Sequence, residues 1–163
     1  TNSMKLTHIQ CTINGLPREF EVDPRTSLLD LLREHGLTSV KLACAVGECG
    51  CCAVLIDGVP TDSCIYLAVW ADGKSIRTAE GEVTDGKLSA VQQAYVDHGA
   101  VQCGYCTPGL VMSSTALVDK YRGKELDRNT VRRELAGHLC RCTGYEKIID
   151  AVLETAKNSK PEV

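Results

Sequence analysis

The sequence predicts an α+β chain built in two parts: a sheet domain with one helix over residues 1–79, then an all-helical domain over residues 88–163. Three observations carry this. Short β-prone runs in the first half are separated by Asn-Gly and Asp-Gly turn signals, and the second half holds capped apolar segments at helical spacing. Between them, Glu80–Lys87 (EGEVTDGK) is polar, contains two glycines and has no period, which marks it as a linker.

Residues 7–13 (THIQCTI) read as a strand, Asn14-Gly15 supplies the positive-φ pair that a type I′ hairpin needs, and Arg18–Val22 returns alongside. Thr26-Ser27 caps a helix carrying Leu28, Leu29, Leu31 and Leu32, which Gly36 ends. A short apolar strand follows at Ala53–Ile56, then an Asp57-Gly58 turn and further strands near residues 59–66 and 75–78. In the second half, Ser89 and Gln92 form the capping box of a helix that Gly99 closes. Thr107 as N-cap with Pro108 at the first helical position opens a second helix, to about Arg122. Asp127 caps a third, with Val131 and Leu135 one turn apart. A fourth, from about Tyr145 to Lys157, places Ile148, Ile149, Val152, Leu153 and Ala156 on one face. Four helices with short joints pack as a bundle.

Composition excludes several classes of function. Net charge is −3 with no Lys/Arg run, and aromatic residues make up only 4%, so neither a phosphate footprint nor a base-stacking surface is present. No apolar stretch approaches the roughly 20 residues of a membrane span. Thr1–Gln10 has neither an apolar core nor a cleavage site, so no export signal is expected and the expected location is cytoplasmic. Against that background the ten cysteines stand out. In a reducing compartment, clustered cysteines read as metal ligands or redox groups rather than disulfides.

Cys44-x4-Cys49-x2-Cys52, with Cys64 further on, has the spacing of plant-type [2Fe–2S] ferredoxins. Such a cluster needs a loop that curls around it and offers sulfurs from several directions. Gly47 and Gly50 allow that turn and bring amide N–H groups towards anionic sulfur. A structural zinc also takes four thiolates, but zinc sites pair C-x2-C knuckles, and a gap of four with no second knuckle matches poorly. Cys51 adjoins Cys52 and could compete as a ligand; the plainer reading is a small packed thiol, and Cys11, within a strand, reads as core. The second set, Cys103-x2-Cys106 and Cys140-x-Cys142, precedes two helices, with Thr107 and Thr143 at the expected N-cap positions. Two helix N-termini would present free N–H groups to an anionic cluster. By spacing alone this set leaves zinc open. A Rieske site needs two placed histidines, and only His138 lies near, reading as a helix-end residue. A zinc-stabilised interaction module and a stand-alone ferredoxin-like carrier are therefore the competing classes.

The strings CAVGECGCC, QCGYCTPG and LCRCTGY, in this order, resemble the small iron–sulfur subunit of the molybdenum hydroxylases, the xanthine dehydrogenase and aldehyde oxidase family, over residues 5–157. The resemblance implies an N-terminal β-grasp [2Fe–2S] ferredoxin-like domain followed by a four-helix-bundle [2Fe–2S] domain. It assigns Cys44, Cys49, Cys52 and Cys64 to the first cluster and Cys103, Cys106, Cys140 and Cys142 to the second. It further implies a large subunit carrying molybdopterin, in the cytosine dinucleotide form, and a medium subunit carrying FAD, assembled as a dimer of heterotrimers. Gln102 would then hydrogen-bond the pterin and Cys142 would lie on the electron path from it. No catalytic acid or base is expected on this chain. The run DSCIYLAVWADGKSIRTAEGE is most similar to xanthine (purine) dehydrogenases, implying xanthine or hypoxanthine as substrate, with nicotinate, an aldehyde, another N-heterocycle or CO as alternatives. Three positions depart from the family pattern: Cys51 replaces alanine, Ala53 replaces threonine and His138 replaces asparagine. None removes a ligand. The first two bear on the potential or oxygen sensitivity of the N-terminal cluster, and the third on hydrogen bonding near the other.

Overall fold

A computed structural model describes residues 5–159. The outer ends of both expected domains, and the first residues of the stretch read as lacking an export signal, lie outside the described residues.

The hairpin forms as its turn dictates. Strands β1 (Thr7–Ile13) and β2 (Leu16–Val22) pair antiparallel with Ile13 opposite Leu16, and Asn14 and Gly15 take the φ values of 50° and 81° that close a two-residue loop. Ile9, Cys11 and Ile13 alternate inward, as a half-buried strand requires. Helix α1 (Leu28–Glu34) starts where the Ser27 hydroxyl accepts from the Asp30 amide at 3.0 Å, and Leu28, Leu29, Leu31 and Leu32 are all buried. Strands β3 (Ala53–Ile56), β4 (Val59–Asp62) and β5 (Ser75–Arg77) complete a five-stranded sheet in the order β2-β1-β5-β3-β4, with β5 parallel to β1 and the other pairs antiparallel.

The strand expected over residues 59–66 is shorter. It stops at Asp62 and gives way to a 3-10 turn, Ser63–Ile65. Ser63 ends the ladder: its amide reaches the Cys52 carbonyl at 3.4 Å, extending the β3–β4 pairing by one bond, and its hydroxyl donates to the same oxygen at 2.7 Å. The turn that follows carries Cys64 back to Cys52.

Helices α2 (Ala90–Asp97), α3 (Thr107–Lys120), α4 (Arg128–Glu134) and α5 (Glu146–Asn158) follow. Ser89 and Gln92 make the full reciprocal capping box, and Asp127 accepts from the Asn129 and Thr130 amides. Neither threonine cap forms. Cys106 is the N-cap of α3, with Thr107 already helical, and α5 begins only after Tyr145, whose φ of 69° is left-handed. The chain must leave each cysteine in a direction set by its loop, so the nominal cap residues are displaced into the loop or the first turn.

Two buried apolar clusters result. One packs Ile9, Leu28, Leu32, Val54 and Ile76 between sheet and α1; the other packs Tyr95, Leu110, Val131, Ile148 and Val152 among the last four helices. Cys52 belongs to the first cluster, whereas its neighbours Cys49 and Cys51 belong to the second. The segment between the two carries a polar knot. Asn14 Nδ2 donates to Thr78 Oγ1 at 2.9 Å, the Thr78 amide donates back to Asn14 Oδ1 at 2.8 Å, and Glu80 accepts from Thr78 and from Ser39. Gln92 Nε2 donates to the Ala79 carbonyl, so the first turn of α2 is pinned to this knot.

Candidate metal centres

Three cysteines of the first set, Cys44, Cys49 and Cys52, sit on the loop between α1 and β3, and Cys64 follows β4. Gly47 and Gly50, at φ of 74° and 71°, let the loop curl back on itself. The Val46 and Glu48 amides point at Cys44 Sγ, at 3.5 and 3.4 Å. With help from the Cys49 amide and thiol they draw the Cys44 thiol down to about 6, so it ionises readily. Cys44 is in hydrogen-bond contact with Cys49, and Cys64, delivered by the Ser63 turn, is in the same relation to Cys52. Burial, then the Cys52 thiol, push Cys64 up to about 12, while the Gly47 amide pulls the other way. A bound cation reverses such a bias, because a coordinating thiol is deprotonated outright.

The second set gathers residues from two loops. Cys106, buried at the start of α3, contacts Cys140, and Cys103 lies near enough to act on its charge. Burial and the Cys140 thiol push Cys106 up to about 12. For Cys140, burial is outweighed by the Thr143 hydroxyl and amide, the Cys106 thiol and the Cys142 amide, so its pKa falls. The Thr143 hydroxyl lies 3.0 Å from Cys140 Sγ and accepts from the Tyr145 amide, while the Tyr145 hydroxyl accepts from the Cys140 amide at 2.8 Å. The donors to Cys140 thus come from loop residues 142 and 143 rather than from a helix N-terminus at α5, which corrects the sequence expectation. Cys103, Cys142 and Gln102 are all exposed, next to exposed Val101 and Tyr105.

The Cys51 thiol also meets the Cys49 thiol, so contact alone does not set it apart from the paired sulfurs. Cys51 is 6% exposed, its thiol points weakly at the Cys49 carbonyl at 4.0 Å, and burial, first, with the neighbouring thiols holds it up at about 12. Cys11 is buried in β1 among apolar side chains. His138 lies just past the end of α4, its amide on the Leu135 carbonyl, and is buried. Its Nε2 lies 2.7 Å from Ser113 Oγ, its Nδ1 is pressed against Gly50, and burial lowers its pKa. Sequence reasoning missed Ser63 and Ser113 as well, because a serine carries no pattern until its distant partner is known.

The sulfurs therefore come in contact groups, Cys49 with Cys44 and with Cys51, Cys52 with Cys64 and Cys106 with Cys140, with Cys103 and Cys142 beside the last. Among the described residues no three Cys, His, Asp or Glu side chains are grouped to hold a single metal ion. Paired thiols suit a two-iron cluster, where each iron takes two, better than one tetrahedral zinc. Amide donors aimed at Cys44 and Cys140 suit an anionic cluster in the same way.

Comparison with known proteins agrees. The 2Fe-2S iron-sulfur cluster binding domain family matches residues 11–89, and the [2Fe-2S] binding domain family matches residues 78–153. The chain is 58% identical to the xanthine dehydrogenase iron-sulfur-binding subunit of Escherichia coli O157:H7, over 96% of this chain and 98% of that one. It is 49% identical to the nicotinate dehydrogenase small FeS subunit of Eubacterium barkeri, over 88% and 91% respectively. Among solved structures, quinoline 2-oxidoreductase from Pseudomonas putida 86 superposes with a TM-score of 0.87 at 45% identity, covering 96% of this chain and 99% of that one. Aldehyde oxidoreductase from Desulfovibrio gigas superposes with a TM-score of 0.88 at 37% identity, but the chain spans only 18% of that much longer protein. With two 2Fe-2S binding domains in this order and relatives matched end to end, the chain belongs to the family of small iron–sulfur subunits of the molybdenum hydroxylases.

Proposed function

We propose that this chain relays electrons from a molybdopterin centre on a large partner subunit, through its two [2Fe–2S] clusters, to FAD on a medium partner subunit. Cys44, Cys49, Cys52 and Cys64 hold one cluster, and Cys103, Cys106, Cys140 and Cys142 hold the other. The observation that carries this is the pairing of the sulfurs on two abutting loops, each with an exposed side. When bound, the clusters supply one-electron carriers. The chain's own residues orient the sulfurs, aim amides at Cys44 and Cys140, and bury Cys49 and Cys106 away from water.

Gln102, exposed beside Cys103, faces the pterin on this reading, and Cys142 is the sulfur nearest the entering electron. The exposed loop around Val46 and Ile65 serves the FAD side. The two domains are a β-grasp ferredoxin-like unit over residues 1–79 and a four-helix bundle over 88–163, with 80–87 as linker. The pterin is the cytosine dinucleotide form, the assembly a dimer of heterotrimers and the location cytoplasmic; no helix among the described residues is long and apolar enough to cross a membrane. Xanthine or hypoxanthine is the substrate, a choice supported by the 58% identity to the xanthine dehydrogenase subunit against 49% to the nicotinate one. Purifying the native complex tests this: it should contain iron, sulfide, molybdenum, pterin and FAD and be bleached by xanthine under anaerobic conditions. Bleaching by nicotinate alone would reassign the substrate, and a colourless, zinc-containing chain would end the relay reading.

A further inference from the structure

The two cysteine-bearing regions meet largely through backbone, with the Tyr105 hydroxyl donating to the Leu42 carbonyl at one side. The Leu139 amide, one residue before Cys140, donates to the Cys49 carbonyl at 3.0 Å. At Gly109, in the first turn of α3, an added Cβ would lie closer than 3.0 Å to the Gly50 carbonyl oxygen and 3.2 Å from the Cys51 carbonyl carbon. At Gly50 an added Cβ would collide with the His138 ring and lie 2.8 Å from the Gly137 carbonyl oxygen. His138 closes the remaining side, bonded to Ser113 on α3 and wedged against Gly50, while its own backbone leads directly into Leu139. Gly109 is helical and does not need positive φ, so its lack of a side chain answers to this close approach alone.

We propose that Gly50, Gly109 and His138 are positioning residues that set the separation of the two cysteine sets, and that the Cys49 carbonyl–Leu139 amide hydrogen bond bridges electron transfer between them. This rests on the ligand assignment proposed above. Tunnelling decays steeply with distance and is carried better by covalent and hydrogen bonds than across van der Waals gaps. Here the path from Cys140 to Cys49 runs through peptide bonds and one hydrogen bond. A single electron leaves the reduced cluster on the Cys103 set and reduces the oxidised cluster on the Cys44 set; no proton or bond moves with it. The reductant is the substrate-reduced molybdenum centre, or dithionite in the test.

The test uses the intact complex carrying Gly109→Ala or His138→Ala. Dithionite-reduced samples are read by EPR for the magnetic interaction between the two clusters, which falls with the inverse cube of their separation, and iron and sulfide are assayed in parallel. Rapid mixing with substrate reads the rate at which the second cluster is reduced. Both variants should keep full iron and show a loss of interaction splitting with slower second-cluster reduction, the larger effect in Gly109→Ala. A merely structural contact would lower the melting temperature without moving either reading. Wild-type splitting and rate in a fully loaded His138→Ala complex would overturn the proposal, whatever Gly109→Ala does. So would loss of both clusters in both variants, since the contact would then build the sites rather than space them. Failure of the underlying relay reading is distinguishable, because the unmodified complex would itself lack two EPR signals.

Discussion

Replacing Cys51 by alanine separates the packed thiol from the ligands on either side of it. Only Sγ is lost, from a residue 6% exposed whose thiol makes a 4.0 Å contact to the Cys49 carbonyl and meets the Cys49 thiol. Removing a buried group of this size costs about 1 kcal/mol from lost burial and a small cavity. For a domain of about 80 residues that lowers the melting temperature by about 4–8 °C. The loop geometry that aims amides at Cys44 does not involve Cys51, so both clusters should remain. Iron and sulfide analysis should give four of each per chain, two per 2Fe-2S site, for wild type and Cys51→Ala alike. Cys52→Ala, which removes the partner of Cys64, should lose the first cluster while the second keeps its EPR signal. The pKa of Cys51 does not decide this by itself, since Cys64 and Cys106 are also raised. Spacing decides it. Loss of half the iron in Cys51→Ala with full iron in Cys52→Ala would refute the ligand assignment within GECGCC.

Further outcomes follow from single contacts. Tyr95→Phe removes a buried hydroxyl bonded to Ser114 at 2.9 Å and strands a fully buried serine, so stability should fall by about 1–3 kcal/mol in thermal or urea unfolding with clusters intact. Glu80 is exposed at the surface; its partial desolvation is outweighed by its bonds to Ser39 and Thr78, so its folded pKa lies below the ordinary 4.5. Its contribution to stability is therefore complete above about pH 4.5 and is lost as pH falls through the lower folded value; Glu80→Gln should flatten that acid limb, and an unchanged limb would remove Glu80 from its cause. Cys49→Ser should let substrate reduce the molybdenum centre and the second cluster while FAD stays oxidised in rapid-mixing spectra. Gln102→Ala should keep both clusters yet slow turnover or loosen the large subunit, measured by iron content beside gel filtration of the complex.

Much of the fold was legible because local chemistry dictated it. Asn14-Gly15 and Asp57-Gly58 announce turns that require positive φ, and Ser27, Ser89 and Asp127 each cap the helix they precede. Expectations failed where distant partners override local preference. The strand after Val59 ends in a 3-10 turn where the Ser63 hydroxyl bonds to the Cys52 carbonyl, eleven residues back. Thr107 and Thr143 lose their cap roles because the cysteines beside them fix the chain's direction, and Thr143 spends its hydroxyl on Cys140 and Tyr145 instead. The Asn14–Thr78 pair spans 64 residues, a separation no periodicity encodes. The cysteine sets themselves were visible from spacing. What spacing could not supply was how the sets meet, since Gly109 and His138 are informative only once the Gly50 backbone lies against them.

The distribution of burial among the sulfurs gives the proposed relay its direction of access. Cys49 and Cys106 are buried in one apolar cluster with Cys51, Tyr95 and Leu110, whereas Cys103 and Cys142 are exposed at one end and the loop around Val46 is exposed at the other. An electron that enters or leaves must do so where a partner's cofactor can come close, which demands exposed sulfur or a thin covering loop. The step between the clusters has the opposite need. Water admitted there would reorganise with each change of charge and slow the transfer, so the inner ligands belong in a dry, close-packed contact. Backbone meeting backbone across Gly50 and Gly109, flanked by the buried His138 ring, fulfils that need. The Leu139 N–H finds its acceptor in the Cys49 carbonyl, and the cost of dryness there falls on His138 Nδ1, which is buried without a hydrogen-bond partner among the described residues. The same contact that makes the crossing short thus makes it rigid, with Cys51 packed into the apolar cluster beside it.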